Sequence, residues 1–233
     1  MRSFSYIIIF FTFIPSLYAQ RSDFNEINFQ KAETIANRYK GEELYNLPVL
    51  TFKLTSQLDT DVERFRAIYY WISHNISGDF DLMSKNERKR KKLKNDPEGL
   101  GQWNNHFKKE VFNKLLHKKK TLCTGYAYLL KELSNLAGIE SEIIYGYGTT
   151  RIIKSDFQNM PNHSWNVVKL NGKWYLCDAT WSSGFTDMST FLFEFNFDNA
   201  FFLMEPTEFV KSHRPIEEKW TLLLQSSELN NSE

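Results

Sequence analysis

The chain has 233 residues, of which 42% are hydrophobic and 24% are charged, and its formal net charge is +1. This length and composition suit one folded domain with a substantial buried core, and they exclude a disordered chain. Because the charge is nearly neutral overall, nucleic acid is not an expected partner.

The first 19 residues are predicted to be a signal peptide. Arg2 supplies a positive charge, Tyr6 to Ile14 is an apolar run too short to span a bilayer comfortably, and Leu17-Tyr18-Ala19 resembles a cleavage site. We therefore expect export to the periplasm or the extracellular space, with cleavage near Ala19-Gln20 and no stable membrane insertion afterwards. The alternative is an uncleaved membrane anchor.

Residues 20–58 are predicted to form an N-terminal arm or helical segment, ahead of a single domain at 59–225 and a polar tail at 226–233. Within the arm, Phe24 to Tyr39 indicates a weak helix or an extended stretch. Pro48 to Leu58 alternates loosely between apolar and polar residues, which indicates either a strand or the approach to a helix.

Two amphipathic helices are predicted from apolar residues that recur at helical spacing. The first covers Asp61 to Asn75. The second covers Cys123 to Ala137, with Thr121 as its N-cap. Gly138 follows it at the position where a glycine commonly ends a helix.

A basic insertion at about residues 77–110 lies between these two helices. It is predicted to be a helical excursion followed by a loop at residues 96–99. We interpret its run of charges from Lys85 to Lys94 as a solvated helix face. The alternative is a docking site for an anionic surface or polymer.

From Ile139 onward, the apolar residues recur at every second position, as in β-strands. A strand is predicted from Glu140 to Tyr147, and two more, at 164–170 and 173–180, flank Asn171-Gly172. This dipeptide is typical of tight hairpin turns. The sequence therefore predicts an α+β domain in which a helix packs on an antiparallel sheet.

The register of this hairpin brings two polar residues together. In a two-residue turn, Trp165 faces Asp178 across the hairpin, and His163 shares their face because side chains alternate along a strand. His163 and Asp178 are then diagonal neighbours, about 7–8 Å apart at the backbone. A carboxylate beside an imidazole fixes the tautomer and the orientation of the ring.

Cys123 stands at the first turn of the second helix, where free N–H groups and the helix dipole favour a thiolate. On position alone, a small buried residue is the commoner role of a lone cysteine. Together with His163 and Asp178, however, Cys123 completes the Cys–His–Asp pattern of nucleophilic acyl transfer. The register points Cys177 to the opposite face of the sheet, which disfavours a disulfide between the two cysteines.

Three segments resemble linked motifs of the transglutaminase-like superfamily. Residues 121–127 read TLCTGYA, residues 162–166 read NHSWN and residues 174–181 read WYLCDATW. The tail from Phe201 to Trp220 resembles the branch that includes kyphoscoliosis peptidase and the cytokinesis protein Cyk3. The resemblance covers roughly residues 60–224.

This resemblance implies a papain-like α+β fold, with Cys123 as the nucleophile, His163 as its base and Asp178 as the residue that orients the base. The Cys123 N–H is one expected oxyanion donor. Because of the long insertion, Gln102 and Trp103 are the candidates for the second donor. The candidates for lining the substrate cleft are Gly125, Trp165 and Trp181.

The predicted function is that of a cysteine-dependent acyl-transfer enzyme that acts on amide bonds of peptides or proteins. With water as the acceptor it is a peptidase or amidase, and with an amine it is a transglutaminase; the sequence leaves both open. The alternative is a non-catalytic module that binds a protein or polymer through the same cleft and the basic insertion. The histidines are not spaced as metal ligands, and no metal or cofactor is expected.

Overall fold

The computed structural model describes residues 21–149 and 160–223. The predicted signal peptide with its cleavage site and the predicted polar tail lie outside these residues. Within the two described ranges, no helix is long and apolar enough to cross a membrane.

The described chain combines helices with a four-stranded sheet. The helices are α1 (Gln30–Arg38), α2 (Leu47–Thr55), α3 (Asp61–Asn75), α4 (Phe80–Lys92), α5 (Pro97–Lys118), α6 (Cys123–Leu136), α7 (Ala179–Ser183) and α8 (Pro206–Phe209). The strands are β1 (Ser77–Gly78), β2 (Lys120–Thr121), β3 (Ser141–Gly148), β4 (His163–Leu170), β5 (Lys173–Cys177), β6 (Gly184–Thr186), β7 (Phe193–Phe195) and β8 (His213–Pro215). The main sheet is antiparallel with the order β5-β4-β3-β8, so the predicted α+β class is confirmed.

The predicted hairpin register between β4 and β5 is confirmed. Leu170 pairs with Lys173 across the turn. Asn171 and Gly172 have φ values of 50° and 82°, the left-handed conformation that a type I′ turn requires at both of its central residues. The turn therefore fixes which side chains of the two strands share a face.

The predicted strand at 173–180 is too long. β5 ends at Cys177, and Asp178 becomes the N-cap of α7. One oxygen of its carboxylate accepts hydrogen bonds from the backbone N–H groups of Thr180 and Trp181, at 2.8 and 3.2 Å. These bonds satisfy donors at the start of a helix, so the chain leaves the sheet at this residue.

The predicted helix from Asp61 to Asn75 is confirmed as α3. Thr60 and Glu63 form a reciprocal capping box. The Thr60 hydroxyl accepts from the Glu63 N–H at 3.3 Å, and the Glu63 carboxylate accepts from the Thr60 N–H at 3.1 Å. These side chains satisfy orphan N–H groups where the helix begins.

The N-terminal segment contains α1 and α2, both of which pack in the same core as α3. Neither alternative predicted for Pro48 to Leu58 is correct, since most of this segment is itself a helix, α2, at whose start Asn46 accepts a hydrogen bond from the Val49 N–H at 3.1 Å. Leu50 and Leu54 of this helix are buried. The segment therefore contributes to the main core rather than extending away from it.

The two faces of the sheet pack against different clusters, as alternation along the strands dictates. One face packs in the main core together with α1, α2, α3 and α6, and it contributes the side chains Val168, Leu170, Tyr175 and Cys177. The other face packs in a smaller cluster, to which it contributes Ile144, Trp165, Val167 and Leu176. Both cysteines are free, and Cys177 is buried in the main core, as predicted.

The basic insertion folds as two helices, α4 and α5, that contact each other. Leu82 on α4 packs with Phe107 and Val111 on α5. Beside this cluster, Lys85 pairs with Glu110 at 2.7 Å. The exposed charges of the insertion thus lie on helices that have a small apolar seam of their own.

The prediction of a loop at residues 96–99 is wrong. Asp96 is the N-cap of α5 and accepts a hydrogen bond from the Gly99 N–H at 2.9 Å. Pro97 occupies the first helical position, where its missing N–H costs nothing and its fixed φ suits the helix. These residues begin a helix that runs on to Lys118.

The second predicted helix is confirmed as α6, which begins at Cys123, and Gly138 follows it with φ +78°. The prediction that Thr121 is its N-cap is wrong. Leu122 holds that position, while Thr121 lies in β2 and pairs with Gly78. Pairing with β1 keeps Thr121 extended one residue too early to cap the helix.

Tyr69 ties α3 to the segment that carries Asp178. Its hydroxyl donates to the carbonyl oxygen of Asp178 at 2.9 Å and lies 2.6 Å from the Ser182 hydroxyl. The side chain is fully buried, so water cannot replace either contact.

We expect Tyr69→Phe to lower the free energy of unfolding by about 1–3 kcal/mol, because the Asp178 carbonyl is left buried without this donor. Urea unfolding monitored by fluorescence measures the change. Tyr70→Phe is the matched control, since Tyr70 is partly exposed and stacks on His74. Equal stability of the two variants would contradict the anchoring role of Tyr69.

Candidate active site

Cys123 is the first residue of α6 and is partly exposed. N–H groups in the first turn of a helix lack intrahelical acceptors, and the helix dipole favours negative charge there. The backbone and the hydroxyl of Ser164 on β4 also lie near enough to lower the pKa of the thiol. The Ser164 hydroxyl is buried and has no nitrogen or oxygen partner among the described residues. These neighbours place polar groups around a thiol at a helix start.

His163 begins β4 and lies between Cys123 and Asp178. Its Nε2 is 2.6 Å from Asp178 Oδ2, and the Cys123 thiol lies near enough to raise the pKa of the imidazole. The ring stacks on Trp181 at 5.0 Å between centroids. Gly148 on β3 lies against the Cβ, Cγ and Cδ2 atoms of His163. A side chain at Gly148 would meet the His163 ring at 3.0 Å, so this close approach needs a glycine.

Asp178 is buried, and both of its carboxylate oxygens are occupied. Oδ1 accepts hydrogen bonds from the two N–H groups at the start of α7. Oδ2 accepts hydrogen bonds from His163 and from His213, the latter at 3.1 Å. Buried charge is stable only when it is paired and hydrogen-bonded. The helix cap therefore fixes the carboxylate, and the carboxylate fixes His163.

The pKa values follow from this arrangement. Burial raises the pKa of the Cys123 thiol, but the hydrogen bond and the positive charge of His163 outweigh burial and bring that pKa to about 7. Burial lowers the pKa of His163, but Asp178 outweighs it and raises the pKa to about 10. Between these two values, an imidazolium–thiolate pair is the stable form.

Asp178 itself stays ionised. Burial raises the pKa of its carboxyl group, but His163 and then His213 hold that pKa well below its ordinary range. The site therefore keeps a carboxylate across the pH range in which the thiolate and imidazolium coexist.

His213 is the residue at this site that the motif analysis missed. It begins β8, pairs with Gly148 on β3 and is fully buried. Burial lowers its pKa despite the opposing effect of Asp178, so the neutral ring is the stable form. In that form Nε2–H donates to Asp178, and Nδ1 lies 2.9 Å from the Ser212 hydroxyl. Its only signal in the sequence was its place in the tail that resembles the family.

Among the described residues, His163, Asp178 and His213 form a group that could hold a metal ion. The nearest ligand atoms of His163, Asp178 and His213 lie within 4.8 Å of one another. These atoms already bond each other, however, at 2.6 and 3.1 Å. A metal bound by all three would replace the hydrogen bonds that orient His163, so the observed geometry is that of a hydrogen-bonded network.

The two predicted oxyanion donors on α5 are engaged elsewhere. The Trp103 indole N–H donates to the Asn86 side chain at 2.9 Å, and its ring stacks on Phe107. Gln102 is exposed and bonds Glu98 within its own helix at 3.3 Å. A continuous α5, instead of the expected loop, directs these side chains to α4 and to solvent, away from the role of oxyanion donor.

Two of the three predicted cleft residues have packing roles instead. A side chain at Gly125 would meet the Thr121 hydroxyl at 1.9 Å, so this glycine lets α6 pack against β2. Trp165 is only 1% exposed and lies beneath His163, at 5.9 Å between ring centroids. Trp181 is partly exposed and stacks on His163, and it stays a candidate for contact with substrate.

Comparison with known families places this chain in one of them. The profile of the transglutaminase-like superfamily matches residues 49–179, more than half of the chain. The chain belongs to the transglutaminase-like superfamily, which includes cysteine peptidases.

The predicted resemblance to one branch of this family is also confirmed. Kyphoscoliosis peptidase of Homo sapiens is 30% identical over 211 residues, which are 88% of this chain and 28% of the human protein. Cytokinesis protein 3 of Saccharomyces cerevisiae is 31% identical over 108 residues, 44% of this chain and 12% of the yeast protein. A crystal structure of a TGase has a TM-score of 0.38 and 13% identity, covering 65% of this chain and 32% of that one. The chain spans less than a third of each of these proteins.

We expect the rate of Cys123 alkylation by iodoacetamide to have a midpoint near pH 7, because the lowered pKa makes the thiolate dominant above that pH. Below the midpoint the rate should fall about tenfold per pH unit. His163→Ala should slow the reaction at neutral pH and move the midpoint to about 8.5 or higher. Stopped-flow or quenched alkylation with peptide mass mapping gives both values.

His74→Ala is the control for this experiment, since His74 lies on α3 and stacks on Tyr70. It should leave the profile unchanged. A wild-type midpoint near that of a free cysteine, unaffected by His163→Ala, would show that the two side chains are not coupled.

Proposed function

We propose that the protein is a cysteine-dependent acyl-transfer enzyme that acts on amide bonds of peptides or proteins. Cys123 is the nucleophile, His163 is the general acid and base, and Asp178 orients His163. The observation that carries the proposal is the 2.6 Å contact between His163 and a buried, helix-capping Asp178, beside a partly exposed thiol of lowered pKa.

In the first step, the Cys123 thiolate attacks the carbonyl carbon of the amide and forms a carbon–sulfur bond. The negative charge that moves onto the carbonyl oxygen is stabilised by the Cys123 N–H, at the start of a helix. His163 then gives its proton to the amide nitrogen as the carbon–nitrogen bond breaks. The products of this step are a thioester on Cys123 and a free amine.

In the second step, His163 is neutral and removes a proton from the incoming nucleophile. Water gives a carboxylic acid, and a primary amine gives a new amide; in both cases the carbon–sulfur bond breaks and the Cys123 thiolate returns. Asp178 keeps the His163 ring in place and stabilises the imidazolium each time it forms. Its hydrogen bonds to α7 make this support rigid.

The relatives support hydrolysis as the first choice of acceptor. The human relative, which is similar along 88% of this chain, is named a peptidase. We therefore propose hydrolysis of peptide bonds as the main reaction, with transfer to an amine as the competing outcome of the same thioester.

Mass spectrometry of a peptide library incubated with the protein tests this proposal. We expect cleaved peptides with wild type, crosslinked peptides only if amines compete with water, and neither with Cys123→Ala. Cys177→Ala is the matched control, because it removes the other thiol from the core rather than from the site. Its products should match those of wild type.

A library that stays unchanged with wild type but is retained by the protein would instead favour a non-catalytic module that binds a protein or polymer. Cleavage that persists in Cys123→Ala would contradict the assignment of the nucleophile.

A further inference from the structure

Arg90 differs from the other basic residues of the run from 85 to 94. It is partly buried, whereas the lysines of the run and its other arginine, Arg88, are exposed. Lys85 pairs with Glu110, and Arg88 bonds the Ser84 carbonyl of its own helix at 3.2 Å. Arg90 instead bonds Pro161, in the described segment just before β4.

That contact places Arg90 at the edge of the active site. Its Nη2 donates to the Pro161 carbonyl at 2.7 Å, two residues before His163. The segment is itself anchored, because the Asn162 side chain bonds both the N–H and the carbonyl of Gly148, at 2.7 and 3.0 Å. The guanidinium therefore has a fixed place beside the base of the triad.

Arg90 also lies close enough to Cys123 for the two charges to interact. Burial lowers the pKa of its guanidinium, and the charge of Cys123 opposes that effect. The guanidinium nevertheless stays protonated throughout the physiological range. A positive charge that is anchored at Pro161, two residues before His163, thus acts on the Cys123 thiolate.

Within residues 21–149 and 160–223, no carboxylate forms an ion pair with this guanidinium. By contrast, Arg66 on α3, which is also buried, pairs with Glu33. Taking a charge out of water is costly unless another charge compensates it. The Pro161 carbonyl is the hydrogen-bond acceptor of Arg90 among the described residues, and a guanidinium carries five N–H donors.

We propose that Arg90 forms an anion subsite beside Cys123 and binds a carboxylate of the substrate, adjacent to the amide bond under attack. The planar fork of a guanidinium matches a carboxylate in a bidentate geometry. The exposed lysines of the same helix raise the local concentration of anionic peptides. This inference rests on the proposed function, and it names acidic peptides as the substrate class.

Two alkylating reagents of the same size test the subsite without any substrate. Iodoacetate carries a carboxylate where iodoacetamide carries a neutral amide, and both lose iodide when the Cys123 thiolate attacks. In wild type, we expect Arg90 to favour iodoacetate. In Arg90→Gln, the ratio of the iodoacetate rate to the iodoacetamide rate should fall about tenfold, as for loss of a charge-assisted contact.

Two further variants isolate the cause. Arg90→Lys keeps the charge but not the fork, and it should retain an intermediate ratio. Arg88→Gln removes the same charge from the same helix, from a side chain bound to its own helix, and it should keep the wild-type ratio. Thermal unfolding of each variant identifies any that fail to fold. If Arg90→Gln does not fold, Arg90→Lys still tests the proposal.

Peptides then distinguish the two sources of a carboxylate. One pair of peptides has Glu or Gln next to the cleaved bond and tests a side-chain carboxylate. The other pair has a free or an amidated carboxyl terminus and tests a terminal carboxylate. Selection by wild type should fall on one of these pairs and should be lost in Arg90→Gln.

An equal slowing of both reagents in Arg90→Gln would overturn the proposal, because Arg90 would then act on the ionisation of the thiol alone. An unchanged ratio in that variant would overturn it as well. Failure of the proposed function is seen separately: Cys123 of wild type would react with iodoacetamide no faster than a free thiol, whatever the ratio.

Discussion

The buried carboxylate of Asp178 is the group on which the rest of the site depends. One oxygen ends β5 and starts α7 by capping its N–H groups, and the other accepts from His163 and His213. Helix α3 holds the backbone of the same residue through Tyr69. Three parts of the chain that are distant in sequence therefore meet at one residue, and α6, which carries Cys123, completes the site.

The two imidazoles at this carboxylate are in different protonation states. His163 is charged because Asp178 and Cys123 both favour the imidazolium, whereas His213 is fully buried and stays neutral. One negative charge thus supports one positive charge, and the second ring contributes a hydrogen bond without adding charge. Packing of His213 against Phe209 and Trp181, at 3.9 and 4.2 Å between centroids, fixes its position.

Local signals in the sequence were sufficient for the hairpin and for the pairing of His163 with Asp178. The Asn171-Gly172 turn set the register, although Asp178 reaches His163 as a helix cap rather than as a strand residue. The contact with His213 depends on the edge strand β8, which pairs with β3 although four strands and two helices lie between them in the chain, and no local periodicity reveals such pairing. Arg90 was likewise hidden, because a run of charges does not show which of its members turns inward.

The central claim is that Asp178 keeps His163 charged while His213 stays neutral, and NMR of ¹⁵N-labelled imidazoles measures this directly. In wild type, both nitrogens of His163 should stay protonated from neutral pH up to about 10, while His213 shows a neutral ring. In Asp178→Asn, His163 should become neutral at pH 7 and His213 should not change its state. A wild-type His163 that titrates near its ordinary pKa of about 6.5, as in Asp178→Asn, would contradict this account of the site.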